Sequence, residues 1–179
     1  MKTNQLRNTL AMNPLTHFKK TPILALLIAL LLFVVASARA TEQRGVTSVR
    51  IADGTFDEID VHAKFDDWKA KIDTKGASDL HLLQNTVVPG GTFGWHSHSG
   101  PSLVIVVSGA ATEYEGDDPT CTPHVHPAGS TFVDSGGASG HLVRNEGSVN
   151  LVVVVARLVP EGAPQRIDLP NPHPGICPE

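Results

Sequence analysis

The stretch of sequence that decides the fold runs from Pro89 to Gly109 and reads PGGTFGWHSHSGPSLVIVVSG. Glycine, proline and serine punctuate its first half, and the apolar run Leu103–Val107 follows. His96 and His98 stand two positions apart, so on a strand both side chains project from the same face. If that face lines the inside of a barrel, the two imidazoles converge on one metal ion, and neutral imidazole suits Zn, Cu, Fe or Ni.

A third ligand has to come from another strand. His141 opens the run HLVRN directly after the glycine-rich turn SGGASG at 135–140. We therefore expect His141 to complete a metal site with His96 and His98.

Short runs of β-type residues recur from Arg44 onward, with turn residues between them. They are Val46–Ile51, Leu80–Val88, Leu103–Val107, Ala111–Tyr114, Thr131–Val133, His141–Arg144 and Asn150–Leu158. This spacing predicts an all-β barrel or sandwich. Leu103–Val107 and Leu151–Val155 are continuously apolar, which predicts central strands covered on both faces. A single helical turn is plausible around Phe65–Lys69, although the charges there also suit a surface strand and loop.

The stretch around the two histidines resembles the first motif of the cupin family, written G(x)5HxH(x)3,4E(x)6G. Here the corresponding residues are Gly90, His96, His98, Ser102 and Gly109, and every spacing agrees. Serine takes the place of the family's glutamate. The resemblance implies a double-stranded β-helix, the jelly-roll barrel also called RmlC-like.

The family's second motif, G(x)5PxG(x)2H(x)3N, resembles the segment from Gly129 to Asn145. His141 falls on its histidine, but Ser135 replaces the proline and one extra residue precedes His141. Together the motifs imply one cupin domain with its core at 90–145 and a divalent metal ion on His96, His98 and His141.

Ser102 is the informative departure, because the family's glutamate normally completes a shell of three histidines and one carboxylate. A neutral three-histidine face resembles that of thiol and gentisate-type dioxygenase cupins, which use Fe(II) to bind substrate and O₂ together. The resemblance thus favours a metal-dependent dioxygenase acting on a small molecule, with Fe(II) ahead of Mn, Ni, Zn or Cu. A non-catalytic module that binds a metal or small ligand, and a non-redox isomerase or lyase, are the alternatives.

Strand alternation also predicts the pocket around the metal. Ser102, Val104 and Val106 share the parity of the ligands and are expected to line it, whereas Phe93 and Trp95 are expected to face away. A bulge at Gly94, which lies between Phe93 and Trp95, reverses that expectation.

A second histidine pair, His124 and His126, has the same spacing and is a candidate for a further ligand or base. Pro123 and Pro127 bracket it, which favours an edge strand or loop instead.

The first forty residues have the layout of a secretory signal. They contain five basic and no acidic residues, an apolar run at Ile23–Ala36 and the ending SARA at Ala40. The apolar run is shorter than the roughly 20 residues of a permanent membrane helix. We expect cleavage after Ala40 and export to the periplasm or medium, with a retained anchor as the alternative.

Without residues 1–40, nine basic side chains face eighteen acidic ones, a formal charge of −9. A polyanion is repelled by that charge, which argues against nucleic-acid binding. The expected partner is a small molecule, with no membrane contact after signal cleavage. A homodimer is left open.

The two cysteines, Cys121 and Cys177, both lie in the exported part, where disulfides form. Their pairing ties an irregular, proline-rich strap at 160–179 to the domain, and two free thiols are the alternative. We expect the strap to pack through Ile167, Leu169 and Cys177.

Overall fold

The computed structural model describes residues 40–179, and all its regular elements in that range are β-strands. The twelve strands are β1 (Arg44–Phe56), β2 (Asp60–Phe65), β3 (Trp68–Asp73), β4 (Ser78–Thr92), β5 (His96–Ser97), β6 (Ser102–Ser108), β7 (Ala110–Glu115), β8 (His124–Pro127), β9 (Thr131–Asp134), β10 (His141–Arg144), β11 (Leu151–Pro160) and β12 (Ile167–Asp168). Each predicted run coincides with or falls largely within one of them, although β1 and β4 extend two to five residues beyond the predicted ends. The all-β prediction is confirmed.

Ten of the strands form one antiparallel sheet that curls into a nearly closed barrel. Its main path runs β12-β5-β10-β4-β11-β6-β9. The long strand β4 pairs with β1 and β11 over most of its length and with β10 at its end. β7 joins β10, and β8 joins β7. Residues of β5, β6, β9 and β10, the strands that carry the sequence motifs, line one common cavity.

Strand β10 separates two apolar clusters. Val143 packs inside the barrel with Val87, Val106, Leu151 and other valines. Its neighbour Leu142 points to the opposite side of the strand, as alternation requires. There it joins a second cluster that consists of Leu142, Trp95, Tyr114, Cys121 and Cys177.

The C-terminal strap covers this second cluster. A disulfide links Cys121 to Cys177, with the Cα atoms 5.3 Å apart, as the cysteine positions predict. Leu169 packs against the cluster, and the Trp95 indole donates a hydrogen bond to the Pro178 carbonyl at 3.0 Å. The expectation for Ile167 was wrong, because its side chain is 40% exposed on β12.

The helical turn expected near Phe65 was also wrong, and the alternative of a surface strand is correct. β2 and β3 form a hairpin in which Phe65 pairs with Trp68, and Asp66 at the turn has a φ of +50°. Apolar and polar residues alternate strictly along both strands, a period of two that suits a strand and not a helix.

The prediction that β6 and β11 are covered on both faces was wrong. On β6 the inward residues are buried, but Leu103, Ile105 and Val107 are 52–58% exposed. On β11, Val152 and Val154 are only partly buried. The barrel wall is one sheet thick, and among residues 40–179 no element packs over this outer face.

The predicted signal segment lies outside the described residues, apart from Ala40. Within the described range there is no helix with the length and hydropathy to span a membrane.

Candidate metal centre

The three predicted ligands lie on two neighbouring strands and directly beside one of them, because His98 follows the last residue of β5. His96 begins β5, and its backbone partner on β10 is His141. Between β4 and β5 the chain turns at Gly94, whose φ is +70° and where a Cβ atom would lie 2.5 Å from the Thr41 carbonyl oxygen. Only glycine fits this turn without strain. The turn directs the side chains of His96 and His98 inward.

The three histidines form a compact, buried cluster. One ring nitrogen from each lies within 4.8 Å of the others. The ring centroid of His96 lies 4.8 Å from that of His98 and 4.6 Å from that of His141. All three side chains are almost fully buried. The structure therefore brings together the residues that the sequence selects.

Each histidine is oriented through its Nδ1 atom. His96 donates to the Gly94 carbonyl at 2.8 Å, and His98 donates to the Gln165 carbonyl at 2.6 Å. His141 donates to Oε1 of Glu113 at 2.9 Å. Carbonyl and carboxylate oxygens only accept hydrogen bonds, so Nδ1 carries the proton in each ring and the Nε2 lone pair is left for a ligand.

The surroundings keep two of these rings neutral. Burial lowers the pKa of His96 well below its ordinary value, and the charge of His141 adds to the effect. Burial also lowers the pKa of His98 to about 4, with the Arg157 guanidinium as the second cause. Neutral imidazole is the form that binds metals.

Glu113 is a site residue that the sequence analysis missed. Its carboxylate is buried on β7 and bridges two histidines, His141 through Oε1 and His126 through Oε2, at 2.9 Å each. The His126 ring stacks on Phe132 with centroids 4.5 Å apart. His126 thus contacts the cluster only through Glu113, while His124 is exposed. Neither belongs to the ligand cluster of the described chain.

Asp134 and Arg157 were missed as well, and both flank Ser102. Asp134 is its backbone partner on β9, and Arg157 is its partner on β11. Arg157 Nε donates to Ser102 Oγ at 2.9 Å, and one terminal nitrogen donates to His98 Nε2 at 3.1 Å. Asp134 Oδ2 lies 3.2 Å from His98 Nε2 and 3.6 Å from His141 Nε2.

A cavity of about 110 Å³ opens beside the cluster. Ser102 and Val104 line it as expected, whereas Val106 lies in the core away from it. Trp95 faces away, but Phe93 lines the cavity, contrary to expectation. The left-handed conformation of Gly94 interrupts the alternation between the two aromatic residues. Arg157 and Arg166 supply the positive charges of the lining.

Comparison with known proteins gives likeness in structure alone. No protein-family profile matches the chain, and no curated protein matches it. The polyketide cyclase RemF from Streptomyces resistomycificus superposes with a TM-score of 0.50 at 16% identity, over 75% of this chain and 80% of that one.

Two further structures are similar over smaller parts of this chain. A protein with a double-stranded β-helix domain from Klebsiella pneumoniae has a TM-score of 0.42 at 20% identity, covering 50% of this chain and 74% of that one. A cupin 2 conserved barrel domain protein from Leptotrichia buccalis has a TM-score of 0.42 at 16% identity, covering 63% of this chain and 40% of that one. At such identities the likeness concerns the fold. The chain therefore has the double-stranded β-helix fold, and its motif residues resemble those of the cupin family.

Proposed function

We propose that the chain is a metal-dependent enzyme that binds one divalent ion through His96, His98 and His141 and acts on a small anionic molecule. The observation that carries this proposal is the convergence of three ring nitrogens within 4.8 Å, with every Nδ1 atom already committed to an acceptor.

The donor set fits such an ion. Nε2 of His141 is buried and has no hydrogen-bond partner, an arrangement that is costly unless something else satisfies the lone pair. Three neutral imidazoles suit Fe, Zn, Cu or Ni. Bound there, a divalent ion supplies Lewis acidity, and Fe(II), which we favour, adds redox chemistry with O₂.

The substrate class follows from the charges and shape of the cavity. Burial lowers the pKa of Arg157 to about 10, so its guanidinium stays charged at neutral pH. Arg166 adds a second positive charge, while Val104, Phe132 and Val153 supply apolar walls. A small molecule with one anionic group and an apolar body matches this lining.

Arg157 has a role of its own in this proposal. One of its N–H groups now occupies the lone pair of His98 Nε2. If His98 Nε2 held a metal ion, this N–H would lose its acceptor and could turn to the cavity. Arg157 would then donate a hydrogen bond to an anionic group of the substrate.

We also propose that the mature protein is exported and begins at Thr41. The disulfide between Cys121 and Cys177 supports an oxidising compartment. Mass analysis of the exported material should give Thr41 as the first residue, and an intact Met1 would indicate a retained anchor instead.

Elemental analysis of protein purified from its native compartment tests the proposed function. We expect about one divalent ion per chain in the wild type and in His124→Ala, which removes an exposed histidine outside the cluster, but much less in His96→Ala. Bound iron, together with oxygen consumption while a substrate is converted, supports the dioxygenase. Zinc or nickel without oxygen dependence favours an isomerase or lyase, and wild-type protein that neither holds nor binds metal contradicts the proposal.

A further inference from the structure

The pairing of β6 with β9 places a carboxylate next to the position where the cupin motif has lost one. Ser102, which stands at the motif's glutamate position, is the backbone partner of Asp134. Side chains of directly opposed residues in a sheet lie on the same face, with Cβ atoms about 5 Å apart. Asp134 therefore points into the barrel from the neighbouring strand.

One carboxylate oxygen of Asp134 accepts a hydrogen bond, and the other has no hydrogen-bond partner. Oδ1 accepts a hydrogen bond from the Gly136 backbone N–H at 2.8 Å. Oδ2 is buried and has no hydrogen-bond partner. It lies 3.2 Å from His98 Nε2 and 3.6 Å from His141 Nε2.

Three atoms meet here, namely Nε2 of His98, Nε2 of His141 and Oδ2 of Asp134, and each carries a lone pair. Nδ1 of His98 donates to a carbonyl and Nδ1 of His141 donates to a carboxylate. In the neutral rings, which are the form that binds metal, neither Nε2 atom then has a proton to give to Asp134. Arg157 reaches His98 Nε2, but Nε2 of His141 and Oδ2 of Asp134 have no donor. Buried acceptors that face each other without a hydrogen between them form a site for a cation.

Asp134 lies outside the compact histidine cluster, but its Oδ2 is within 3.6 Å of two of the three ligating nitrogens. From this geometry we propose that Asp134 is the fourth protein ligand of the metal ion, supplied by β9 in place of the missing carboxylate at position 102. The inference rests on the proposed three-histidine site and deepens it. The site is then three imidazoles and one carboxylate, and not a neutral three-histidine face. The loss of the glutamate at 102 leaves room for Arg157, which hydrogen-bonds to Ser102 Oγ.

The alternative role for Asp134 is that of a counter-ion to Arg157, and metal titration of suitable variants separates the two. Asp134→Asn keeps the size of the side chain and removes its charge. Asp134→Glu keeps the charge and displaces the oxygen. Each is compared with the wild type and with His96→Ala by calorimetric titration of Co(II) into metal-free protein and by the visible absorption of bound Co(II). The melting temperature of each metal-free variant checks that it is folded.

If Asp134 is a ligand, Asp134→Asn lowers Co(II) affinity at least tenfold, and both substitutions change the Co(II) absorption spectrum. Adding Ser102→Glu to Asp134→Asn is expected to recover affinity, because it returns a carboxylate to the neighbouring strand. An unchanged spectrum in both single variants, with or without a fall in affinity, overturns the proposal. If His96→Ala also binds Co(II) like the wild type, the three-histidine site itself fails.

Discussion

Arg157 donates a hydrogen bond to Nε2 of His98 at 3.1 Å, the atom through which His98 would bind a metal ion. A permanent positive charge and a metal ion thus compete for one lone pair. The guanidinium is held in place from two other directions, by Ser102 Oγ and by the Gln165 carbonyl, at 2.9 Å each. Metal affinity and anion binding at this site are therefore coupled through one side chain.

Replacing Arg157 by glutamine should raise affinity for a divalent ion in the absence of substrate. The change removes both the competing donor and a nearby charge, and we expect a gain of about tenfold, about 1.4 kcal/mol. The same variant should bind anionic ligands more weakly. Calorimetric titration of the ion measures the first effect, with the exposed Arg50→Gln as control. Unchanged or weaker metal binding argues against the competition.

Glu113→Gln tests the bridge between His141 and His126. The amide still accepts from His141 Nδ1 but lacks the charge that orients the ring and increases its basicity. Loss of such a carboxylate typically costs 10–100-fold in metal affinity, and we expect a value in this range, whereas the exposed Glu58→Gln should match the wild type. His126→Ala, one contact further away, should have a smaller effect. Equal affinities for Glu113→Gln and wild type would show that the bridge is structural only.

The lowered pKa of His98 makes the metal-free protein sensitive to acid. In the unfolded chain this ring takes up a proton near pH 6.5, whereas in the native protein its pKa is about 4. The unfolded state therefore binds more protons between these values, so the free energy of unfolding falls as the pH drops below about 6.5. Urea unfolding at pH 7.5 and 5.5 measures the difference. His98→Asn should show a smaller pH dependence, and an identical dependence contradicts the assignment.

Reduction of the disulfide should destabilise the domain without removing the metal site. Cys121 and Cys177 are 56 residues apart, and closing a loop of that length contributes about 4 kcal/mol in the chain-entropy model. We expect a fall in melting temperature on the order of 10 °C and metal stoichiometry unchanged, since neither sulfur belongs to the histidine cluster. Mass labelling that finds two free thiols in exported protein contradicts the pairing.

The sequence alone predicted the barrel and the histidine cluster because both follow from local rules. Alternation places His96 and His98 on one face, and the motif spacing points to His141. Phe93 was assigned to the wrong face because the left-handed backbone at Gly94 breaks the alternation, and nothing in the residue order compels that conformation.

The charged residues of the site were missed for a different reason. Glu113, Asp134 and Arg157 each share strand parity with an inward-facing apolar residue two positions away. These residues are the buried Ala111, the partly buried Phe132 and the buried Val155, and this parity was the available signal. Their roles depend on which strands lie side by side. The position of β9 and β11 on either side of β6 is a tertiary property that strand patterns do not specify.

The central claim, a metal ion held by three histidines, is tested most directly by anomalous diffraction from crystals grown with Zn(II) or Fe(II), measured on both sides of the metal absorption edge. The account predicts one strong anomalous peak per chain, about 2.1 Å from the Nε2 atoms of His96, His98 and His141. The absence of an anomalous peak at the three histidines, or a peak only at an exposed histidine such as His124, would contradict this claim.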